Sequence, residues 1–556
     1  MADFIDIKLP KQSADSYYME SMQHLVDDFI YIDPEWYNLL FDPTTFYILG
    51  PKGSGKTLYA TYMCSDIRRD TVSKYHKISV DDYGKIIEMK TKGHLSFTDY
   101  STIWKVILLQ KLLCGIEEKD ISFWNRAKSF QTIRETIFNH FGYAVIQDDF
   151  NPVTQIDSCG KQTEITNYLN GEFGTSITPA GILSGSIGLK NELTDVVTDN
   201  NQHSKEHTKS QYTDTWLQSI DSFKRALEII TLKYDYYLFI DGLDVRPTQY
   251  DAAEYGECIG ALIRAVYDLN TQIFGSKKRR NEHRFKIIAL TRTDIFLNSN
   301  LVNVTSCIDD NCVELDWTYS NENNFLYSKL YKMMNRVLGW DGVSPEMPAQ
   351  IFFGFPIVSG NSQRPLAAAL YIQRLSRLRP RDIVVFLNLI QKECRARGRP
   401  NPDPVIIQSS DIVEHYSYYY IEQVRSEMKF SYSDKQISEI LAFLRTFRNI
   451  RMSEKEFETT YNRYCKYNRS FRELFSTHRA LIDVLYSLDV LGWVEFQDHY
   501  MITKTIIHWH YRETKAIDEH HRLPWEIFDN AFSETKFIIH NGATRYILGQ
   551  QPKFSL

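Results

Sequence analysis

The stretch that decides the fold of this chain spans positions 50–57 and reads Gly50-Pro51-Lys52-Gly53-Ser54-Gly55-Lys56-Thr57. It matches the phosphate-binding P-loop pattern G-x-x-x-x-G-K-[ST] at every fixed position. The apolar run Phe46–Leu49 precedes it, and Leu58–Met63 can open a helix after it. Because this strand–loop–helix context is where the pattern binds phosphate, we expect a nucleotide-binding α/β core.

The residue types of the motif indicate how it would bind a nucleotide. Successive backbone N–H groups would point at the phosphates, and the following helix adds its positive N-terminal end. Lys56 is expected to reach the β- and γ-phosphates, and the Thr57 hydroxyl to bind Mg²⁺. The residues predicted to hold the nucleotide are Gly50, Gly53, Ser54, Gly55, Lys56, Thr57 and Leu58.

A second apolar run, Tyr236–Ile240, is typical of a central parallel strand and ends in acidic residues. We expect Asp241, at the end of this strand, to approach the Mg²⁺ ion together with Thr57. Asp244 lies three residues further on and could orient or activate the attacking water. The alternative is an acidic strand end of the kind that ordinary α/β proteins also have.

A third strand is predicted at Phe285–Leu290. In ATPases of the additional-strand class, a polar residue at this strand end senses the γ-phosphate or the attacking water. Thr291 fits that position, and Arg292 could add positive charge. The rival interpretation is the guanine-reading [NT]-K-x-D motif of GTPases, which Thr291–Asp294 resembles. A GTPase should also have D-x-x-G after its metal-binding strand, and residues 241–244 lack that glycine, so ATP is preferred.

A basic segment further along the chain is predicted to act on the same nucleotide. Arg377–Asp382 precedes Ile383–Ile390, an amphipathic helical stretch. Pro380 suits the first turn of a helix, which would place Arg381 near the helix start. From a lid domain Arg381 could reach the γ-phosphate and couple nucleotide state to domain closure. The alternative is a solvated arginine cluster.

The region after residue 430 has the pattern of three helices and a ribbon. Helices are predicted at Lys435–Ile450, from the capping box Ser453–Glu456, and at His478–Leu488, before a hairpin near Gly492–Ile502. This order resembles a winged helix. Its basic residues could meet nucleic-acid phosphates, although many winged helices in ATPases are structural modules. They are Arg463, Lys466, Arg469, Arg472 and Arg479.

Length and pattern together predict the domain organisation of the 556 residues. We expect an α/β P-loop NTPase core with a parallel sheet of the additional-strand class, followed by a helical lid and a winged-helix-like C-terminal domain. The polar insertion in the core is either a partner element or a disordered loop. The predicted segments are an N-terminal helical arm at 1–45, the core at 46–300 with its insertion at about 148–215, the lid at 301–428, the winged-helix-like domain at 429–515 and a tail at 516–556.

The composition of the chain limits the cellular location and the kinds of binding partner that we expect. A formal net charge of −6 gives no global electrostatic reason for binding nucleic acid or an anionic membrane. No signal peptide or membrane-length apolar run is evident, and eight scattered cysteines suit a reducing compartment, so we expect a cytoplasmic protein. Cys307 and Cys312 lack zinc partners at the usual spacing, and no metal is assigned to the histidine-rich tail.

With these elements in order, the chain resembles a family of bacterial P-loop ATPases typified by a cyanobacterial open reading frame, related in outline to STAND-type and AAA-like ATPases. The matching pieces are FYILGPKGSGKT, YYLFIDGLDVRP, IIALTRTDIF, VELDW, LRPRDIVVFLN and FIIHNGATRYIL. The resemblance implies a nucleotide-gated switch of a kind often found in bacterial stress responses or antiviral defence, with no catalytic effector of its own. Asp244 stands where related ATPases often have a glutamate nearby, which leaves the rate of hydrolysis open.

Three functions are therefore compatible with the sequence. The first is an ATP-hydrolysing regulatory switch that acts as a homo-oligomer, with a separate effector protein, or both. The second is a nucleic-acid-responsive ATPase that docks DNA or RNA through its C-terminal domain. The third is a non-hydrolytic scaffold that uses bound nucleotide only to hold its domains together.

Overall fold

A computed structural model provides the architecture described below. It describes residues 3–12, 32–65, 71–79, 99–117, 231–247, 250–275, 283–319, 322–340, 344–358, 365–499, 502–513 and 536–549, with shorter runs at 83, 86–87, 120–121, 220–221, 223–225, 227, 342, 523, 525 and 528. Several predictions fall elsewhere in the chain. The N-terminal arm is predicted to be helical around Met19–Phe29, and this helix, the insertion at about 148–215, and two histidines of the C-terminal tail, His520 and His521, lie outside the described residues.

The described residues contain strands and helices in an alternating order over the first half, and mainly helices afterwards. The strands are β1 (Tyr47–Leu49), β2 (Thr71–Lys77), β3 (Asp235–Asp241), β4 (Phe285–Thr291), β5 (Cys312–Glu314), β6 (Pro356–Ile357), β7 (Leu366–Ala367), β8 (Arg451–Ser453), β9 (Leu491–His499), β10 (Ile502–His508) and β11 (Lys536–Ile539).

The helices are numbered in the same way. They are α1 (Pro34–Leu39), α2 (Lys56–Ser65), α3 (Asp99–Cys114), α4 (Ala252–Asp268), α5 (Thr293–Leu297), α6 (Val304–Asn311), α7 (Lys329–Val337), α8 (Pro348–Phe353), α9 (Ala368–Leu375), α10 (Pro380–Ala396), α11 (Pro404–Ile407), α12 (Ser410–Met428), α13 (Asp434–Leu444), α14 (Glu454–Tyr467), α15 (Arg469–Leu474), α16 (His478–Ser487), α17 (His510–Glu513) and α18 (Thr544–Leu548). Short 3-10 turns lie at Phe4–Asp6 and Glu322–Tyr327, and a π-helical turn, Leu269–Phe274, follows α4.

Five strands form a parallel sheet with flanking helices, in the order β2-β3-β4-β1-β5. The apolar runs of β3 and β4 explain why these strands are central, since nearly every side chain in them is buried. β2 lies at an edge and pairs with β3 from Thr71↔Asp235 to Lys77↔Asp241. An α/β core followed by a helical C-terminal region is therefore present, as the sequence predicts.

The described residues fall into two compact units. One draws on residues 1–66, 242–253 and 290–556, and the other on residues 67–241 and 254–289. In the second unit the buried Trp104 of α3 donates its indole N–H to the carbonyl oxygen of Cys258 in α4, at 3.0 Å. The amide of Asn270 also bonds both backbone groups of Ile287, at 2.8 and 3.0 Å, which fixes the turn after α4 against β4.

The C-terminal part of the first unit contains a four-stranded sheet in the order β10-β9-β11-β8. β9 and β10 form an antiparallel hairpin, and β11 runs antiparallel to both β9 and β8. Helices α13 to α16 pack around buried aromatic side chains, with the rings of Phe443 and Phe471 stacked at 5.3 Å and Phe457 against Phe443 at 5.7 Å. This cluster forms the hydrophobic core of the region.

Local predictions have mixed outcomes. The capping box at Ser453 and Glu456 is confirmed, with both reciprocal hydrogen bonds formed. The helix predicted at Lys435–Ile450 ends already at Leu444, because the backbone turns and the Thr446 hydroxyl bonds back to the Phe443 carbonyl at 2.7 Å.

The short run Ile78–Val80 in the sequence also predicts a second strand, and this prediction is wrong at Ile78 and Ser79, the two residues of the run that the structure describes. The strand occupies Thr71–Lys77, and Ile78 and Ser79 follow it. The half-exposed edge position of β2 allows a polar sequence that lacks the apolar run of a central strand.

Candidate functional site

The Gly50 loop, residues 50–57, lies between β1 and the first turn of α2, so the strand and helix predicted around it are both present. Gly53 and Gly55 have positive φ values of 89° and 103°, which glycine adopts without strain. Gly53 also has little space around it, because a Cβ there would lie 3.2 Å from the Cβ of Arg381. The backbone conformation at position 53 therefore favours glycine, and a larger residue would also press against Arg381.

Lys56 is folded onto the loop itself. Its ammonium group donates hydrogen bonds to the carbonyl oxygens of Gly50, at 2.8 Å, and Pro51, at 3.1 Å. The side chain is mostly buried, so these two carbonyls neutralise part of the charge that water would otherwise solvate. A phosphate oxygen could replace either carbonyl as the acceptor.

Two hydroxyl groups at predicted site positions are buried without a partner. Ser54 Oγ and Thr291 Oγ1 are both 0% exposed as residues, and neither has a hydrogen-bond partner among the residues that the structure describes. A buried hydroxyl normally forms a hydrogen bond, because leaving it unpaired costs about 1–3 kcal/mol. Both are therefore available to a polar group that is not part of the chain.

Aromatic residues contact the Gly50 loop through one hydrogen bond and a series of packed rings. The indole N–H of Trp317, just after β5, donates to the carbonyl oxygen of Ser54 at 2.8 Å. Trp317 packs edge-on against Trp36 of α1 at 5.0 Å, and Trp36 packs against Tyr59 of α2 at 6.2 Å. The hydroxyl of Tyr59 accepts the backbone N–H of Asp33, the N-cap of α1. Packed aromatic side chains therefore support the backbone of the loop.

The start of α10 lies directly on the Gly50 loop. Pro380 occupies the first turn of α10, as predicted, and the next residue, Arg381, donates its backbone N–H to the carbonyl oxygen of Gly53 at 3.3 Å. The Arg381 side chain is half-buried and has no hydrogen bond or ion pair within the described part of the chain. The structure thus brings Arg381 to the loop, as the sequence suggests.

Lys52, at a variable position of the motif, adds a second lysine beside Lys56. Its ammonium group donates to the hydroxyl of Ser426 at the end of α12. Burial is the largest cause that lowers the pKa of Lys52, and the positive charges of Arg381 and Arg292 act in the same direction. The carboxylate of Asp244 opposes this shift, which places Asp244 within electrostatic range of the loop.

Arg292 is already paired. Its guanidinium forms a two-point contact with Asp294, with Nε at 2.9 Å from Oδ1, and its Nη1 donates to the carbonyl oxygen of Glu427 at 3.4 Å. Burial acts to lower the pKa of Arg292, but the neighbouring carboxylate of Asp294 outweighs it and the pKa is raised. Arg292 thus bridges the end of β4 and the end of α12 with its charge largely balanced.

Asp241 ends β3, as predicted. The carboxylate is mostly buried and accepts a hydrogen bond from the hydroxyl of Tyr75 at 3.0 Å. In the described residues there is no group of three or more His, Cys, Asp or Glu side chains that could hold a metal ion. A magnesium ion that keeps several waters and binds phosphate needs only one or two protein ligands.

Four buried charged residues near the loop form what we call the Glu427 cluster: Arg377, Arg379, Glu427 and Asp489. Arg377 donates to both carboxylate oxygens of Glu427, at 3.0 and 3.1 Å, and Arg379 donates to Oε1 of the same carboxylate. Arg379 also donates to the Lys52 carbonyl oxygen at 3.2 Å and to Asp489 Oδ2 at 3.3 Å. Burial alone would raise the pKa of Glu427, but the two arginines bring it to about 2.

Sequence reasoning missed several of these residues. Arg377 and Arg379 lie in the same basic segment as Arg381, so the sequence does indicate that they lie near the site. Glu427 and Asp489 carry no local signal, because a single acid within a helix or turn does not reveal a buried ion pair. The missed residues are Lys52, Trp317, Arg377, Arg379, Ser426, Glu427 and Asp489.

The C-terminal basic residues divide into two groups. Arg463, Lys466 and Arg472 are exposed on α14 and α15, as is Arg469, which pairs with Glu473. Arg479 differs, because it is half-buried and pairs with Glu454 at 2.7 Å.

Two histidines that precede the tail, His508 and His510, contact other side chains of the chain. His508 stacks on Trp493 at 3.8 Å and contacts Glu495 at 2.9 Å, while His510 packs against Tyr486. The thiol of Cys312 donates to the carbonyl oxygen of Cys307 at 3.3 Å.

No protein-family model matches the chain, and no curated protein matches it either. Among the described helices, none combines the length and the apolar character needed to cross a membrane.

Proposed function

We propose that this chain binds ATP in the Gly50 loop, hydrolyses it with Mg²⁺, and uses the nucleotide to switch its interaction with a partner. The observation that carries the proposal is the loop itself: a buried strand, a turn with left-handed Gly53 and Gly55, and a helix that starts at Lys56. Such a loop directs backbone N–H groups and a helix N-terminus at an anion.

The order of the parallel strands supports the additional-strand class of P-loop ATPase. β4 stands between β3 and β1 in the sheet. In that class the extra strand separates the P-loop strand from the acidic strand and carries a polar sensor at its end. Thr291 is the last residue of β4, and its hydroxyl has no hydrogen-bond partner among the described residues, so it would have this role.

The chain offers polar groups of the kind that a triphosphate requires. Lys56 would exchange its two loop carbonyls for phosphate oxygens, and Ser54 would supply a hydroxyl. Arg381 and Lys52 add positive charge beside the loop, and Asp244 would orient the attacking water as a general base. Thr57 and Asp241 would hold Mg²⁺, which would neutralise charge on the phosphates.

Steady-state ATP hydrolysis by the full chain tests the proposal. We expect Mg²⁺-dependent turnover that Lys56→Ala reduces by on the order of 100-fold and that Asp244→Ala also reduces strongly. Lys435→Ala, an exposed lysine on α13, is the matched control and should retain full activity. Turnover that is unchanged in Lys56→Ala overturns the proposal, and binding of a fluorescent ATP analogue without any turnover favours the non-hydrolytic scaffold instead. Competition by GTP tests the preference for adenine.

The alternative function, a nucleic-acid-responsive ATPase, is favoured by one observation. Helices α13, α14 and α16 with the β9–β10 hairpin have the order of a winged helix, and four basic side chains on α14 and α15 are exposed. DNA or RNA binding should then weaken steeply with salt and be lost when Arg463, Arg469 and Arg472 are neutralised. Absence of binding at low salt rejects this alternative.

The cellular setting of the switch is also proposed. We expect a cytoplasmic protein that acts with copies of itself, with a separate effector protein, or with both, in an antiviral defence or stress response. The resemblance implies that any effector chemistry belongs to a partner. Size-exclusion chromatography with ATP and with ADP tests for nucleotide-dependent assembly, and an adjacent nuclease gene would support a defence role.

A further inference from the structure

Arg379 touches three separate parts of the first unit. It donates to the Lys52 carbonyl oxygen in the Gly50 loop at 3.2 Å, to Glu427 at the end of α12, and to Asp489 in the turn before β9 at 3.3 Å. The residue is 5% exposed. A planar guanidinium can satisfy several acceptors only in a fixed geometry, so a shift of one acceptor disturbs the others.

Two non-glycine residues beside these contacts have left-handed backbone. Leu378, between the two arginines of the Glu427 cluster, has a φ of 53°, and Asp489 has a φ of 58°. The Leu378 N–H donates to Ser376 Oγ at 3.1 Å, and the Tyr420 hydroxyl donates to the Asp489 carbonyl oxygen at 2.6 Å. Strained residues of this kind persist only where surrounding contacts hold them, and they are frequent at switch regions.

The charges of the Glu427 cluster balance within it, with two arginines and two carboxylates. Each member is at most 8% exposed, so separating one pair leaves a buried charge uncompensated. Such a network favours two discrete arrangements, one with all of these ion pairs formed and one with the pairs rearranged. A gradual loosening of the pairs is disfavoured.

We propose that Arg379 is a positioning residue that couples the Gly50 loop to the Asp489 turn, so that ATP binding alters the backbone around Asp489. The coupling rests on the proposed function, since it begins when phosphate draws Lys56 away from the Gly50 and Pro51 carbonyls. The next carbonyl along the chain, that of Lys52, is the one that Arg379 holds. Movement of the loop would therefore reach the turn that precedes β9 of the C-terminal sheet.

The test measures ATP affinity and amide hydrogen exchange on the same samples of the full chain. In the wild type, ATP should change exchange at residues 488–492. In Arg379→Met that response should be lost, while affinity for ATP falls by no more than about tenfold. Arg397→Met removes an exposed arginine from the other end of α10 and should behave as the wild type.

A second measurement remains informative if Arg379→Met folds poorly by circular dichroism. Asp489→Asn keeps an acceptor for the Tyr511 N–H but removes the charge that faces Arg379. Because coupling is reciprocal, Asp489→Asn should change ATP affinity by about fivefold or more. Arg379→Lys retains a charge without the planar fork, so it should restore only part of the exchange response.

The outcomes separate the two proposals. A wild-type chain that binds no ATP overturns the proposed function, and the coupling with it. A wild type that binds ATP without any change at residues 488–492, or an Arg379→Met variant with an intact response, overturns the coupling alone. An unchanged affinity in Asp489→Asn also counts against the coupling and leaves ATP binding in place.

Discussion

The backbone N–H of Arg381 donates a hydrogen bond to the carbonyl oxygen of Gly53 at 3.3 Å. The bond joins two segments more than 300 residues apart in the chain, the first turn of α10 and the middle of the Gly50 loop. A change in the backbone of either residue therefore alters this hydrogen bond and can shift the other residue. This relationship makes Gly53 a position where a change in the loop acts directly on α10.

Gly53→Ala should impair nucleotide binding through packing against Arg381. The left-handed backbone costs alanine about 1–2 kcal/mol, and the new Cβ would lie 3.2 Å from that of Arg381. We expect affinity for a fluorescent ATP analogue to fall by about tenfold or more. Gly398→Ala is the control, because Gly398 is also left-handed, at 64°, but has open space around it. The Gly398→Ala variant should lose stability and keep its affinity for the ATP analogue. Equal affinities for the analogue in Gly53→Ala and Gly398→Ala would contradict the role of packing.

Glu427→Gln should destabilise the fold strongly. The substitution leaves Arg377 and Arg379 buried without their shared carboxylate, for which we expect a loss of about 3–5 kcal/mol in the free energy of unfolding by urea. Glu473→Gln removes an acid from an exposed ion pair with Arg469 and should cost at most about 1 kcal/mol. A small effect in Glu427→Gln would show that the Glu427 cluster is dispensable for stability.

The two acids of the cluster should give opposite pH dependences of stability. The pKa of Glu427 falls to about 2, so its stabilising contribution is present above its ordinary pKa and is lost as the pH falls through about 4.5 towards 2. Burial raises the pKa of Asp489 to about 6, although the arginines oppose it. Its folded form binds the proton more tightly, so the free energy of unfolding declines as the pH rises from about 4 to about 6. Each effect is on the order of 3 kcal/mol.

Asp489→Asn tests this pH dependence, because asparagine does not titrate. Its free energy of unfolding, measured by urea at a series of pH values, should lack the decline between about pH 4 and 6 and keep the loss at lower pH. A decline that persists in Asp489→Asn would assign the titration to another group.

Thr291→Val should separate activity from stability. The Thr291 hydroxyl is buried and has no hydrogen-bond partner in the described structure, so its replacement by a methyl group of the same shape should leave stability unchanged or raise it by up to about 1–3 kcal/mol. ATP turnover should fall on the order of 100-fold if the hydroxyl acts on the transition state. Thr446→Val should show the reverse, because that hydroxyl bonds the Phe443 carbonyl at 2.7 Å and lies in a different region. Full turnover in Thr291→Val would remove Thr291 from the site.

Much of the α/β core could be predicted because its central strands have a recognisable sequence pattern. β3 and β4 are buried on both faces and read as apolar runs, and the glycine loop after β1 has a fixed pattern. β2 could not be recognised, since an edge strand accepts polar side chains at most positions. The Glu427 cluster was beyond prediction for another reason: its members come from distant segments, and only the folded chain brings them together.

The contact between Trp317 and the Ser54 carbonyl gives the loop an intrinsic optical label. Indole emission depends on the hydrogen bonding and polarity around the ring, and this ring is bonded to the backbone that would receive the phosphates. The chain has nine tryptophans, so the difference spectrum between the wild type and Trp317→Phe would isolate the one signal that reports on the loop. Occupancy of the loop could then be followed in stopped-flow mixing with unmodified ATP.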